Sequence, residues 1–136
     1  MATKKKVSGK KLNHDLVLRI GFAIFLLIWG FDLLLKSQQW ATDSLMGEYY
    51  GRLGLQPGAV TALGIVQLII AFSFLFHRWV KFTSILLFVM LLVSTLALLP
   101  SMLAYLSIGG TPLPAILFAD HFPLLAGAWA VYAHNK

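Results

Sequence analysis

The chain has 136 residues, of which 59% are hydrophobic and 12% charged, and it contains no cysteine. A soluble domain of this size leaves too much of its surface in water to hide so many apolar side chains, so the composition indicates one domain in a lipid bilayer. The absence of cysteine excludes disulfides, thiol redox chemistry and cysteine-ligated iron–sulfur or zinc sites.

The formal net charge of +6 is concentrated near the start of the chain. Five lysines precede the first apolar run: Lys4, Lys5, Lys6, Lys10 and Lys11. Lysines in this place are typical of a cytoplasmic segment that faces anionic lipid head groups. Because no nucleic-acid-binding module accompanies them, we predict a basic cytoplasmic tail over residues 1–15 and no nucleic-acid partner.

Residues 16–136 are predicted to form a single membrane domain, because four segments are apolar enough to cross the hydrocarbon layer as helices. These segments cover about residues 16–35, 59–76, 82–99 and 115–133. Pro100 is expected to end or kink the third helix. The residues 77–81 allow only a tight turn between the second and third helices. The predicted fold class is therefore all-α, an integral membrane antiparallel four-helix bundle.

The distribution of lysine and arginine predicts the orientation. The tail with Arg19, the turn at 77–81 and Lys136 hold nine of the eleven basic residues, and Lys36 and Arg52 are the other two. We therefore expect both termini and the turn on the cytoplasmic side of the cytoplasmic (inner) membrane. The connections at 36–58 and 100–114 are expected outside.

The first outer connection carries its own helical pattern. Leu45, Tyr49 and Leu53 recur at four-residue spacing, which predicts a short amphipathic helix lying in the outer interface. Trp40 and Tyr50 are expected to anchor this helix as interfacial aromatic residues.

Ionisable side chains at membrane depth are costly, so they are the candidate functional residues. Asp32 lies near the outer end of the first helix, and Asp120 and His121 lie near the outer start of the fourth. We expect these three residues to form a polar cluster, with Glu48 and Arg52 within reach as candidate ligand-binding residues. Such a cluster can exchange protons or hold a small polar head group, since histidine titrates near neutral pH.

Each member of this cluster also has a structural interpretation. Lys36 follows Asp32 by four residues, so the two are expected to form an ion pair on one helix face. Asp120 and His121 are adjacent and point about 100° apart, so a packing role for each is an alternative. The spacing of the histidines predicts neither a haem nor a metal site.

Other residues at depth are expected to support packing. Gln67 falls near the middle of the second helix, where we predict a hydrogen bond to another helix, with ligand binding as the alternative. Arg19 is expected to extend to the lipid phosphates. Small residues such as Gly64 and Gly127 allow close approach of helices, within the domain or in self-association.

Several short segments of different sequence together form a characteristic set of motifs. They are Leu-Arg-Ile-Gly at 18–21, Gly30 to Lys36, Leu-Gly-Leu-x-Pro at 53–57, Leu-Gly-Ile-Val-Gln at 63–67, His77-Arg78, and the segment 119–127 that opens with Ala-Asp-His-Phe-Pro. This pattern resembles the DoxX-like family of small four-helix bacterial and archaeal membrane proteins, over about residues 16–133. Two positions depart from it: Gln67 stands where the family often has Glu, and Asp32 appears where the lysine spacing differs.

The resemblance implies a link to membrane redox complexes, which include quinone-reducing oxidoreductases and terminal oxidases. We therefore predict a small accessory subunit of a quinone-linked redox complex. Quinone is the implied cofactor and none is expected to be covalently bound. The expected partners are the lipid bilayer and other membrane subunits. A self-contained quinone-linked oxidoreductase and a small proton-coupled transporter are the alternatives, so the sequence fits both an enzyme and a non-enzymatic subunit.

Overall fold

The computed structural model describes residues 14–42, 46–47, 50–108 and 120–135, and these residues form helices without a strand. The helices are α1 (His14–Leu35), α2 (Ser37–Thr42), α3 (Pro57–Leu75), α4 (Val80–Ile108) and α5 (His121–His134), with a 3₁₀ turn at Gly51–Leu53. The all-α prediction is confirmed for this part of the chain.

Three of the helices are long and apolar enough to cross a membrane: α1, α3 and the stretch Val80–Pro100 of α4. They have 22, 19 and 21 residues, close to the roughly 20 residues that the hydrocarbon layer requires. The structure thus indicates a membrane protein. The described part of the fourth predicted span is α5, with 14 residues, and the predicted start of that span at residue 115 lies outside the described residues.

The third long helix extends further than the sequence predicted. The helix was expected to end or kink at Pro100, and it does not end there, because α4 continues through this residue to Ile108. Proline lacks the amide hydrogen that would bond to the Leu96 carbonyl, so the helix loses one hydrogen bond there. A membrane helix tolerates such a loss when the rest of its backbone stays paired. Beyond the proline, the hydroxyl of Ser107 also donates to the Leu103 carbonyl at 2.8 Å.

The most extensive helix contact joins α1 to α3, and the next joins α4 to α5. Smaller contacts join α3 to α4 and α5 to α1. Glycine lets α1 and α3 pack closely, since a Cβ atom added to Gly64 would lie 2.9 Å from the carbonyl oxygen of Gly30. A Cβ added to Gly127 would lie 2.9 Å from the Phe22 ring. These two glycines therefore serve packing within the domain.

Arg19 does not extend to the lipid phosphates, which corrects the sequence prediction. It is only 6% exposed, and its Nε donates to Asp15 at 2.8 Å. One terminal guanidinium nitrogen donates to the Phe74 carbonyl at 3.2 Å. The side-chain amide of Asn135 donates to the other Asp15 oxygen at 2.8 Å. Asp15 provides a partner one helical turn away, so Arg19 remains inside and joins the start of α1 to the end of α3. Asp15 joins the same start to Asn135, the residue after α5.

The connection between α3 and α4 is the tight turn that its length predicted. Two of its residues, His77 and Trp79, have φ values of 53° and 54°. The Arg78 amide donates to the Ser73 carbonyl at 3.0 Å, and the Ser73 hydroxyl donates to the Arg78 carbonyl. Ser73 also shares a 2.8 Å hydrogen bond with the Thr83 hydroxyl. The buried hydroxyl groups of Ser73 and Thr83 therefore stabilise this turn through hydrogen bonds.

Candidate functional site

A cavity of about 290 Å³ lies between α1, α3, α4 and α5, and residues of the first connection complete its wall. The wall is mainly apolar and aromatic, with side chains that include Phe25, Trp29, Trp40, Leu63 and Met90. Its polar side chains include Gln67, Ser94, Asp120 and His121. An apolar cavity with a few convergent polar groups is the usual form of a small-molecule site.

Gln67 projects into this cavity from the middle of α3. Its side-chain oxygen is buried and has no hydrogen-bond partner. The predicted cross-helix hydrogen bond of this amide is therefore absent from the described part of the chain. Ser94 in α4 cannot serve as the missing donor, because its hydroxyl bonds to the carbonyls of Met90 at 3.2 Å and Leu91 at 3.0 Å. A buried unpaired polar atom costs roughly 1–3 kcal/mol, which makes Gln67 a candidate ligand contact.

Asp120 and His121 both line the same cavity as Gln67. Asp120 precedes the first residue of α5, and its carboxylate makes no capping hydrogen bond to that helix. Asp120 is exposed and His121 is half-buried. Although adjacent residues point about 100° apart on a helix, both reach the wall, because the cavity extends over more surface than one small partner. One part of the wall therefore contains two groups that can bind or release a proton.

Asp32, the third member of the predicted cluster, is not part of the cavity wall. The predicted ion pair with Lys36 is present, with 2.5 Å between Nζ and the carboxylate. The other carboxylate oxygen accepts a hydrogen bond from the indole nitrogen of Trp40 at 2.7 Å. Trp40 lies between Asp32 and the cavity, so the predicted cluster is divided into Asp120 and His121 in the wall and Asp32 behind it.

The aromatic side of the wall is a continuous row of three rings. The centroids of Phe25 and Trp29 are 6.2 Å apart, and those of Trp29 and Trp40 are 5.6 Å apart. Trp40 was expected to anchor the connection in the membrane interface. The hydrogen bond to Asp32 fixes its ring against Trp29, a contact that the sequence did not predict because Asp32 and Trp40 lie on either side of a helix break.

The remaining candidates come from the first outer connection. Glu48, like Leu45 and Tyr49 of the predicted amphipathic helix, lies outside the described residues. Arg52 is exposed in the 3₁₀ turn and does not line the cavity.

The described parts of this connection pack inward. Ala41 and Met46 are buried together with Leu33 and Val60. The backbone of Met46 passes so close to Gly54 that a side chain at Gly54 would collide with it. This packing brings the connection against the helix ends and lets Met46 and Tyr50 contribute to the cavity wall.

No metal centre is formed by the part of the chain that the structure describes, since no three His, Asp or Glu side chains converge there. Comparisons with protein-family models, curated proteins and solved structures found no match. The site is therefore interpreted from its own geometry: an aromatic cavity between apolar helices, with an unpaired amide oxygen, Asp120 and His121 in its wall.

Proposed function

We propose that this chain is a DoxX-like membrane protein that acts as a small subunit of a quinone-linked redox complex and binds a quinone head group in the cavity. The observation that carries the proposal is the unpaired amide oxygen of Gln67 in an otherwise apolar, aromatic wall. The resemblance to the DoxX-like family supports the same class of partner.

The residues of the cavity fit a quinone head group. Its volume of about 290 Å³ is at the lower end of the roughly 300–1,000 Å³ of small-molecule sites. One substituted ring therefore fits inside, and an isoprenoid tail would extend into lipid. Phe25, Trp29 and Trp40 offer faces and edges to a planar ring. The apolar wall disfavours a charged ligand, because burying an unpaired charge is costly.

The polar residues have distinct roles in this proposal. The amide oxygen of Gln67 accepts a hydrogen bond from a quinol hydroxyl, and its nitrogen donates to the carbonyl of the oxidised quinone. A bound quinone supplies two-electron, two-proton chemistry. The His121 imidazole and the Asp120 carboxylate are the groups in the wall that can exchange those protons with the head group. Asp32 orients the Trp40 ring.

The proposed topology is an antiparallel four-helix bundle with both termini in the cytoplasm. The hydrogen bond between Asp15 and Asn135 supports it, because this bond joins the start of α1 to the residue after α5. Two points that meet on one side of a membrane are separated by an even number of crossings. Three long helices with α5 as a fourth crossing meet that condition.

Ligand binding is tested by tryptophan fluorescence of the purified chain in detergent micelles. A background with Trp79→Phe and Trp129→Phe leaves Trp29 and Trp40, which both line the cavity. We expect a short-chain ubiquinone analogue to quench their emission with saturation at one site per chain. Quenching that rises linearly, as it does for an indole dissolved in the same micelles, would contradict a bound head group. Gentle extraction should also co-purify the chain with a quinone-reducing activity.

A self-contained quinone-linked oxidoreductase is the second candidate, and the presence of Asp120 and His121 in one wall favours it. The two candidates separate on purification. A subunit has quinone-reducing activity only together with its partners. A self-contained enzyme keeps its turnover when pure and loses it in the Asp120→Asn and His121→Ala variants.

A further inference from the structure

A second concave surface lies on the outside of α3, where the chain turns into α4. It is an open groove of about 590 Å³, lined by Ile69, Phe72, Ser73, Phe76, Arg78 and Trp79. None of these six residues lines the cavity that contains Gln67. The groove is therefore a separate feature from the proposed quinone site.

One part of the groove is apolar and open to its surroundings. Phe76 is 71% exposed and Trp79 is 77% exposed. The rings of Phe72 and Phe76 are nearly parallel, with centroids 6.3 Å apart. A flat apolar surface that continues along a membrane helix is suited to an acyl chain, which gains contact area along its whole length.

The other part of the groove carries a positive charge that has no counter-ion among the described residues. Arg78 lines the groove, and among the described residues its guanidinium has no hydrogen bond or ion pair. Asp15, the acidic residue described near this end, is already bonded to Arg19 and Asn135. The charge of Arg78 is thus available to a ligand. Guanidinium groups match the oxygen geometry of phosphate.

The backbone of the turn holds this arrangement at a cost. His77 and Trp79 both occupy the left-handed region, with φ of 53° and 54°. Residues other than glycine rarely adopt this backbone conformation. Strained residues of this kind persist where the surroundings fix them, and they cluster at ligand-binding sites. Here the strained turn positions Trp79 in the groove wall next to Arg78.

We propose that this groove binds one anionic phospholipid, with the head-group phosphate on Arg78 and an acyl chain along Ile69, Phe72 and Phe76. The combination of an unpaired cation and an exposed apolar wall selects an amphipathic anion. A free phosphate would use the cation alone, and a neutral lipid would use the wall alone. The groove lies at the end of α3 that is proposed to face the cytoplasm, where anionic lipids attract basic residues.

The test uses native mass spectrometry of the purified full-length chain with an equimolar mixture of phosphatidylglycerol and phosphatidylcholine. The wild-type chain should retain one phosphatidylglycerol molecule in preference to phosphatidylcholine. The Arg78→Gln variant should lose about fivefold of that preference, which corresponds to one basic residue at a lipid surface. Arg78→Lys keeps the charge and should retain most of it.

Lys81→Gln is the matched control, because Lys81 is an exposed cation three residues away that does not line the groove. It should leave the preference unchanged, and the lysine-rich tail is the same in every variant. Equal losses in Arg78→Gln and Lys81→Gln would overturn the proposal in favour of a diffuse charge effect. A wild-type chain that binds both lipids equally, or that releases phosphatidylglycerol to millimolar inorganic phosphate, would overturn it without recourse to any variant.

Discussion

The indole nitrogen of Trp40 donates a 2.7 Å hydrogen bond to the carboxylate of Asp32, across the break between α1 and α2. The Trp40 ring lies 5.6 Å from the ring of Trp29, and both rings line the cavity. Asp32 itself does not reach the cavity wall. In the proposed quinone site, Asp32 therefore acts through the position of the Trp40 ring, as a positioning residue.

Replacing Asp32 with Asn should weaken binding of the ubiquinone analogue while leaving the fold intact. The variant loses the charge that strengthens the Trp40 hydrogen bond, so the ring becomes less well fixed. Fluorescence quenching should show a lower affinity, and the anisotropy of the tryptophan emission should fall. Lys36→Gln is the control, because it removes the ion pair and keeps the Trp40 hydrogen bond. A loss in the Lys36 variant equal to that in Asp32→Asn would rule out a specific role for Trp40.

The buried pair of Asp15 and Arg19 should contribute far more to stability than the exposed pair of Asp32 and Lys36. Arg19→Gln leaves the Asp15 carboxylate buried without its charged partner, which should cost about 3–5 kcal/mol of unfolding free energy. Unfolding in detergent, followed by circular dichroism, measures this loss. Lys36→Gln should change the midpoint little, since Lys36 is solvent-exposed. An Arg19→Gln variant as stable as wild type would instead support the original expectation that Arg19 serves the lipid phosphates.

The crossing of α1 and α3 should not tolerate a side chain at Gly64. The new Cβ would lie 2.9 Å from the Gly30 carbonyl oxygen, so the helices must separate, and we expect Gly64→Ala to destabilise the protein by about 1–3 kcal/mol. Gly21 in α1 is the control, because a Cβ there meets nothing within 4 Å. Gly21→Ala should be neutral or stabilising by up to about 1 kcal/mol. Thermal unfolding of the two variants that gave equal shifts would contradict this close approach.

Replacing His77 with Gly should stabilise the turn between α3 and α4. A φ of 53° costs most residues about 1–2 kcal/mol, and glycine does not have this cost. Arg78, between the two left-handed residues, does not have a positive φ, so Arg78→Gly should not be stabilising. If His77→Gly lowers the unfolding midpoint as much as Arg78→Gly does, the left-handed conformation is not a source of strain.

The membrane helices could be predicted from the sequence because a long apolar run has one stable arrangement in lipid. The first helix was predicted at 16–35 and lies at His14–Leu35, and the second was predicted at 59–76 and lies at Pro57–Leu75. The Asp32–Lys36 pair was predictable too, since its partners are one helical turn apart. The predicted end of the third helix at residue 99 was wrong, because the remaining backbone hydrogen bonds outweigh the one lost at Pro100 and the helix continues to Ile108.

The candidate site could be predicted only in part, because its decisive contacts are not local in sequence. Outside the site the same holds for Asp15 and Asn135, which are 120 positions apart, so the sequence did not predict that they pair. The unpaired state of Gln67 depends on which residues face it across the cavity. Ser94, which also lines the cavity, bonds within its own helix.

The most direct measurement combines stability and ligand affinity in one variant, Gln67→Leu, with the exposed Gln39→Leu as its control. If Gln67 is kept for a ligand, Leu removes a buried unpaired oxygen and should stabilise the protein by about 1–3 kcal/mol. The same change should weaken binding of the reduced ubiquinone analogue, whose hydroxyl donates to the Gln67 oxygen in this proposal, by about two- to tenfold, the value of one hydrogen bond. Gln39→Leu should alter neither quantity. A Gln67→Leu variant that is less stable and binds the analogue as tightly as wild type would show that Gln67 holds helices together and that the cavity does not use it for a quinone.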